Sequence, residues 1–256
     1  MDADRIARRA IGLIDLTDLA DDHAPDGIAE LCRRAATHHT AAVCVWPEYV
    51  AQCVESLAGT GVRVATVVNF PTGSEPVEDV VADTRRALED GADDIDLVLP
   101  YRAFRAGDTA RAGGMVAAVA ELIDAPAILK VILESGELTD AGAIAAAARL
   151  AIDHGADFVK TSTGKTAHGA SIEAARAMLA EIARTSRDEG RTVGIKPSGG
   201  IRSVDDAAAY LAVADEVMGD GWADASTFRF GASGLLDALL AVIDSDAPAG
   251  SSTSDY

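Results

Sequence analysis

Lysine is scarce in this sequence. Only four of its 22 basic residues are lysines, and the other eighteen are arginines. Lysine normally lies on the solvated surface, but Lys130, Lys160 and Lys196 each stand in or at the end of an apolar run. A lysine in apolar surroundings loses part of its preference for the charged form and can act as a nucleophilic amine. The pattern therefore predicts imine chemistry.

Positive charge and cysteine are also in short supply. The formal net charge of −19 argues against binding nucleic acid or an anionic membrane by charge. The sequence has an odd number of cysteines, and their spacing fits no metal-binding motif: Cys32, Cys44 and Cys53. This favours a reducing compartment. No apolar run approaches the length of a membrane span, and no signal-peptide pattern follows Met1. We expect a cytoplasmic protein.

Short β-branched runs alternate with longer alanine-rich stretches. Eight candidate strands are Ala42–Val45, Val62–Val68, Asp94–Leu99, Ala127–Leu133, Asp157–Thr161, Thr192–Lys196, Asp215–Met218 and Phe228–Phe230. Helical patterns cover Val77–Asp90, Asp140–His154, Ile172–Arg187, Val204–Ala212 and Leu235–Asp244. Nearly continuous apolar strands indicate a parallel sheet covered on both faces. Eight such repeats favour an α/β fold of the (β/α)8 TIM-barrel class, and a doubly wound open sheet is the alternative.

The two ends of the chain depart from this repeat. Residues 1–40 precede the first candidate strand and are expected to form extra N-terminal helices. Residues 1–245 are predicted to be a single domain. Residues 246–256 are small and polar, so we expect a flexible C-terminal tail.

Two of the lysines end neighbouring candidate strands. Catalytic groups of a barrel lie at the carboxyl ends of the strands, and Lys160 and Lys196 end the fifth and sixth candidates. Adjacent strands are about 4.8 Å apart, so two inward ammonium groups would share one desolvated space. The pKa of one would then fall, and that amine could form a Schiff base with a carbonyl carbon. The alternative is that each lysine pairs with a carboxylate and only stabilises the barrel.

A carboxylate is expected beside these lysines. Period-2 alternation turns Ile95 and Leu97 towards the helices and Asp96 towards the barrel interior. Lys130, on the next candidate strand, can also point inward. An Asp96–Lys130 pair would keep the carboxylate ionised and able to shuttle protons through water. A purely structural ion pair is the alternative reading.

Three glycine-containing turns follow candidate strands, and two of them precede helical patterns. Backbone N–H groups at a helix start bind phosphate, and glycine permits close approach. This predicts binding of a phosphorylated substrate, with no metal motif in the sequence. The candidate phosphate-binding residues are Thr163, Gly164, Lys165, Gly199, Gly200, Ile201, Arg202, Gly231 and Ser233.

Taken together, the motifs resemble the 2-deoxyribose-5-phosphate aldolase family over nearly the whole chain. The resemblance implies a class I lyase with a (β/α)8 barrel and no cofactor. Such an enzyme reversibly cleaves 2-deoxy-D-ribose 5-phosphate to acetaldehyde and D-glyceraldehyde 3-phosphate. The segments that carry it are Ile14–Thr17, Val43–Pro47, Ala65–Pro71, Asp96–Arg102, Leu129–Leu138, Phe158–Lys165, Lys196–Arg202 and Arg229–Ser233.

The resemblance also implies roles for individual residues. Lys160 would form the imine, Lys196 would lower the pKa of Lys160 and assist proton transfer, and Asp96 would exchange protons through water. The family often has a second serine where this chain has Gly234, which removes one hydroxyl contact to phosphate. The resemblance also implies auxiliary roles for Lys130, Asp15, Cys44 and Tyr256. Tyr256 matches a family tyrosine that helps to move a proton at the enamine carbon, and the alternative is that it belongs to a disordered chain end.

Two other functions stay open at this point. One is a related Schiff-base aldolase with a different aldehyde specificity, of which Gly234 would be the first hint. The other is a catalytically silent barrel that binds phosphosugars. The expected partners are small phosphosugars and aldehydes, and a homodimer is the favoured assembly.

Overall fold

A computed structural model describes residues 2–21, 25–138 and 140–246. Its eight parallel strands form one sheet in the order β7-β6-β5-β4-β3-β2-β1-β8. Bridges between Ile195 and Phe228 and between Ser198 and Gly231 bring the two ends of that sheet together. The predicted (β/α)8 barrel is confirmed. The strands are β1 Ile14–Asp18, β2 Ala42–Val45, β3 Arg63–Val68, β4 Asp94–Val98, β5 Ile128–Ile132, β6 Phe158–Lys160, β7 Gly194–Lys196 and β8 Phe230–Ala232.

Helices surround the barrel and cover the outward-facing side chains of the strands. Ile95, Leu97 and Val131 belong to this outer core, and each is fully buried. In the described part of the chain, no helix is both long and apolar enough to cross a membrane. The helices are α1 Ala3–Ile11, α2 Pro25–His38, α3 Val50–Ser56, α4 Val77–Glu89, α5 Tyr101–Arg105, α6 Thr109–Ala120, α7 Ala141–Asp153, α8 Ile172–Glu189, α9 Val204–Met218 and α10 Leu235–Asp246.

The first strand was not predicted. Ile14–Asp18 is β1, although residues 1–40 were expected to be helical before the first strand. Only α1 precedes it. The inner face of β1 carries Asp15 in place of an apolar side chain, so only Ile14 and Leu16 of this strand contribute to the outer core. Because this inner face is polar, a search for apolar runs does not identify the strand.

The predicted strand Asp215–Met218 is wrong, because these residues are the last turn of α9. Ser203 and Asp206 form a capping box that starts this helix. No glycine or proline interrupts the chain before Gly219, so the helix continues. Asp215 in that turn accepts hydrogen bonds from Arg9 of α1 at 2.8 Å. The two corrections shift the strand numbers, and Lys160 and Lys196 belong to β6 and β7.

Candidate active site

Two lysines from adjacent strands converge on one carboxylate oxygen inside the barrel. Lys160 and Lys196 are paired in register on β6 and β7. The Nζ atoms of Lys160 and Lys196 donate to Oδ2 of Asp96 at 2.7 Å and 2.8 Å. All three side chains are buried. The neighbouring strands therefore bring the lysines into the shared, desolvated space that their sequence positions predict.

A second layer of charge surrounds this triad. Lys130 Nζ donates to Asp94 Oδ2 at 2.6 Å and to Asp96 Oδ1 at 3.1 Å, so the predicted Asp96–Lys130 contact is present. Asp15 Oδ2 lies 2.6 Å from Lys196 Nζ. Asp15 Oδ1 accepts a hydrogen bond from Arg229 at 2.7 Å. Each carboxylate thus lies between two or more cations.

Sequence reasoning missed two members of this cluster, Asp94 and Arg229. Asp94 stands two residues before Asp96 in β4, so period 2 places both carboxylates on the inner face. That signal was present in the sequence. Arg229 directly precedes β8 and contacts Asp15, which lies in β1, the strand paired with β8. Nothing in the local sequence around Arg229 indicates that contact.

The buried charges do not balance when every group is ionised. Asp15, Asp94 and Asp96 supply three negative charges, and four buried side chains are cationic: Lys130, Lys160, Lys196 and Arg229. An unpaired charge in a protein interior is costly. Arg63, which is partly exposed, adds a fifth cation 2.7 Å from Asp94, so loss of one proton from the cluster reduces the excess. Lys160 has one carboxylate contact, whereas Lys196 has two, so Lys160 gives up its proton most easily.

The pKa shifts follow this geometry. Burial, reinforced by the charge of Lys196, lowers the pKa of Lys160 against the opposing effect of Asp96. Lys196 is equally buried, but Asp15 and Asp96 raise its pKa above the usual value for lysine. Although burial favours a protonated carboxyl, the three lysines hold the pKa of Asp96 well below its usual range. The pKa values of the two lysines are therefore driven apart, so Lys160 loses its proton before Lys196 does.

Cys44 lies inside the barrel beside these groups. It is fully buried and packs with apolar side chains of the barrel interior. Burial raises the pKa of its thiol. At neutral pH the side chain is therefore an uncharged thiol rather than a thiolate nucleophile.

A cleft of about 350 Å³ is formed by loops that follow four of the strands. Residues 17–20, at the carboxyl end of β1 and directly after it, also line the cleft, and they were not predicted. Lys165, on its rim, is 3.1 Å from Asp21. Every candidate phosphate-binding residue from the sequence lines this cleft: Thr163, Gly164, Lys165, Gly199, Gly200, Ile201, Arg202, Gly231 and Ser233.

Glycine shapes this cleft in two ways. Gly200 has a φ of +88°, which side-chain-bearing residues rarely adopt, and a Cβ there would meet no atom within 4 Å. At Gly231 a Cβ would lie 2.5 Å from Ser198 Oγ and 3.1 Å from Lys196 Cε. Glycine is thus required where the cleft meets Lys196. Gly234 lies in open space with no positive φ, and Tyr256 is outside the described residues.

Comparisons place this chain among enzymes that make and break carbon–carbon bonds. It belongs to the DeoC/LacD family of aldolases, whose family model matches residues 9–240. It is therefore an aldehyde-lyase, and the family resemblance of its motifs is confirmed. A protein named deoxyribose-phosphate aldolase from Agrobacterium fabrum is 51% identical over 246 residues, which are 95% of this chain and 93% of that protein.

Solved structures show the same barrel. A candidate deoxyribose-phosphate aldolase from Toxoplasma gondii ME49, in its apo form, has a TM-score of 0.86 at 28% identity, covering 95% of this chain and 98% of its own. A tetrameric deoxyribose phosphate aldolase from Aeropyrum pernix has a TM-score of 0.75 at 24% identity, with 94% and 92% coverage. The second of these supports the fold alone.

Proposed function

We propose that this chain reversibly cleaves 2-deoxy-D-ribose 5-phosphate to acetaldehyde and D-glyceraldehyde 3-phosphate through a Schiff base on Lys160. The observation that carries the proposal is the lysine pair on Asp96. One lysine has a lowered pKa and the other a raised pKa, and the pair adjoins a glycine-rich cleft. An amine that is neutral near pH 7 is the form that attacks a carbonyl carbon.

The reaction requires two proton transfers around the imine. The Lys160 amine adds to the aldehyde carbon C1 of the open-chain sugar, and loss of water leaves a protonated imine. Removal of the proton from the C3 hydroxyl then breaks the C2–C3 bond, and the electron pair moves into the imine to give an enamine. D-Glyceraldehyde 3-phosphate leaves. Protonation of the enamine carbon and hydrolysis release acetaldehyde and restore the Lys160 amine.

Asp96 is the group best placed to exchange these protons. It is ionised, fully buried and in direct contact with the nucleophile. A water molecule between Asp96 and the substrate would complete the shuttle. Lys196 keeps its charge and favours the neutral form of Lys160. Lys130 and Asp15 hold Asp96 and Lys196 in place by the contacts described above.

The cleft would hold the phosphate group. Loops with exposed backbone N–H groups and glycines suit a phosphate dianion. Lys165 and Arg202 bring positive charge to a chain whose net charge is −19. Gly231 lines the cleft, and a Cβ added to it would lie only 3.1 Å from Lys196 Cε, so the cleft adjoins the lysine pair. A substrate could therefore reach Lys160 with its aldehyde while its phosphate occupies the loops.

The decisive experiment is reductive trapping. Acetaldehyde and sodium borohydride should leave a two-carbon adduct on Lys160, located by peptide mapping, and the Lys160→Met variant should show none. An adduct on Lys196 or Lys130 would reverse the assignment. A silent phosphosugar-binding barrel would give no adduct. An aldolase of different specificity would give the adduct but fail to cleave the deoxyribose phosphate.

The assembly and location of the protein also stay predictions. We expect a homo-oligomer, with a dimer favoured, in the cytoplasm. Size-exclusion chromatography with light scattering measures the number of subunits in the assembly.

A further inference from the structure

A buried carboxylate outside the lysine cluster follows β5. Glu134 has a solvent exposure of 0%. Its backbone has φ 53° and ψ 57°, the left-handed region that non-glycine residues seldom occupy. No Lys, Arg or His of the described residues forms an ion pair with it. A strained backbone and a buried anion without a cation both require stabilising partners elsewhere.

The partners of Glu134 belong to the loop after β6. Thr163 Oγ1 donates to Glu134 Oε2 at 2.5 Å, and Thr166 Oγ1 donates to Oε1 at 3.2 Å. The Thr163 N–H points at the same carboxylate, 3.3 Å from Oε2. All three groups are donors, as an ionised carboxylate requires. This loop starts directly after Lys160 and supplies Thr163, Gly164 and Lys165 to the cleft.

The hydrogen bonds form a chain with a fixed direction. Thr163 Oγ1 accepts from the Lys165 N–H at 3.0 Å, so its own hydrogen is free to go to Glu134. Gly164, between them, has φ +78°. Glu134 thus fixes both sides of this glycine. The main chains are joined as well, since the Ser135 N–H donates to Thr161 O at 2.8 Å.

We propose that Glu134 is a positioning residue that holds the loop Thr163–Thr166 in its phosphate-binding shape and so sets the preference for a phosphorylated over an unphosphorylated sugar. This role rests on the proposed function. Glu134 forms no hydrogen bond or ion pair with Lys160, Lys196 or Asp96, since its side-chain partners are Thr163 and Thr166, and the role proposed for it is outside imine formation. An amide at this position keeps only one acceptor oxygen and no charge, so it cannot accept from both Thr163 and Thr166 as the carboxylate does.

The test is Glu134→Gln, assayed with 2-deoxyribose 5-phosphate and with free 2-deoxyribose. Hydrogen bonds to a charged group are worth enough to change KM for the phosphorylated sugar by about 10- to 100-fold. The rate of acetaldehyde trapping and kcat/KM for the free sugar should stay within about twofold. Glu137→Gln is the matched control, because Glu137 lies on the same turn but pairs with Arg105 at the surface. It should leave all these quantities unchanged.

Thr163→Val provides an independent variant should Glu134→Gln fail to fold. It removes the hydroxyl that joins Glu134 to Lys165, so it should reproduce the loss for the phosphorylated sugar. In a double-mutant cycle with Glu134→Gln, the two losses should not add.

Three results would overturn the proposal. The first is an unchanged KM for the phosphorylated sugar in a folded variant, and the second is an equal loss with both sugars. The third is additive losses in the cycle. Inability of the wild-type protein to cleave 2-deoxyribose 5-phosphate is a separate result, which overturns the proposed function and this role with it.

Discussion

Replacing Lys196 with leucine removes one positive charge from beside Lys160 with little change in volume. Both Nζ atoms lie within 2.8 Å of the same Asp96 oxygen, so they can be no farther apart than twice that distance. Two unit charges about 5 Å apart interact by about 3 kcal/mol at an effective dielectric constant of about 20. That energy corresponds to roughly a hundredfold change in the protonation equilibrium of Lys160.

The direction of the change in trapping rate follows from the protonation state that reacts, because only the neutral amine of Lys160 attacks a carbonyl carbon. Lys196 lowers the pKa of Lys160, so its removal raises that pKa and reduces the fraction of neutral amine near pH 7. We expect acetaldehyde trapping by Lys196→Leu to slow by up to about a hundredfold at neutral pH. Because the protonated amine can still be titrated, raising the pH should restore much of the rate. The measurement is the trapping rate as a function of pH, beside a melting curve.

Lys165→Met is the matched control for charge. It removes the same charge from the rim of the cleft, where Lys165 contacts Asp21 rather than Asp96. With acetaldehyde, which carries no phosphate, its pH profile should match that of the wild-type protein. A folded Lys196→Leu variant with an unchanged rate and pH profile would refute the electrostatic argument. Lys196 would then be a structural partner of Asp15 and Asp96.

Two further substitutions test the shuttle and the cleft. Asp96→Asn cannot exchange a proton, so turnover should fall by about 10²- to 10⁴-fold with a smaller effect on substrate binding. Near-normal turnover rules out the shuttle, and loss of folding in a melting curve supports the structural ion pair instead. Gly200→Val places a side chain at φ +88° and towards open space in the cleft, so KM should rise far more for 2-deoxyribose 5-phosphate than for free 2-deoxyribose. Equal effects in steady-state kinetics would mean that this loop does not hold phosphate.

The two errors in the predicted strands have a common physical cause. Apolar runs identify a strand only when its side chains are apolar, and β1 turns Asp15 into the barrel. Asp215–Met218 has the composition of a strand but follows a helix that no residue terminates. The expected number of strands was therefore right, because the missed strand β1 and the false strand Asp215–Met218 cancel.

The site was predicted best where the chemistry depends on strand periodicity. Asp96, Lys130, Lys160 and Lys196 were expected to meet because they occupy inner positions on consecutive parallel strands, and the structure brings them together. The pKa of one lysine was expected to fall. The family resemblance assigned this fall to Lys160, but residue types alone do not, because it depends on the unequal number of carboxylates around each ammonium.

Two contacts between distant segments were not predicted from the sequence. Glu134 stands in a short turn like many surface glutamates, and only the fold buries it against the loop of Thr163. Arg229 reaches Asp15 from 214 residues away in the chain. Both residues lie in segments that carry the family resemblance, but no local pattern indicates their partners.

The sequence by itself determined the repeat of strands and helices, and with it the end of the barrel where the lysines gather. Hydrophobic periodicity is a local property, and parallel strands with helical crossovers have few ways to close. The tertiary structure alone decided how charge is shared among Asp15, Asp94, Asp96 and the buried cations. Burial and ångström-scale distances set those interactions, because the energy of a charge depends on its neighbours in space and on the water it has lost.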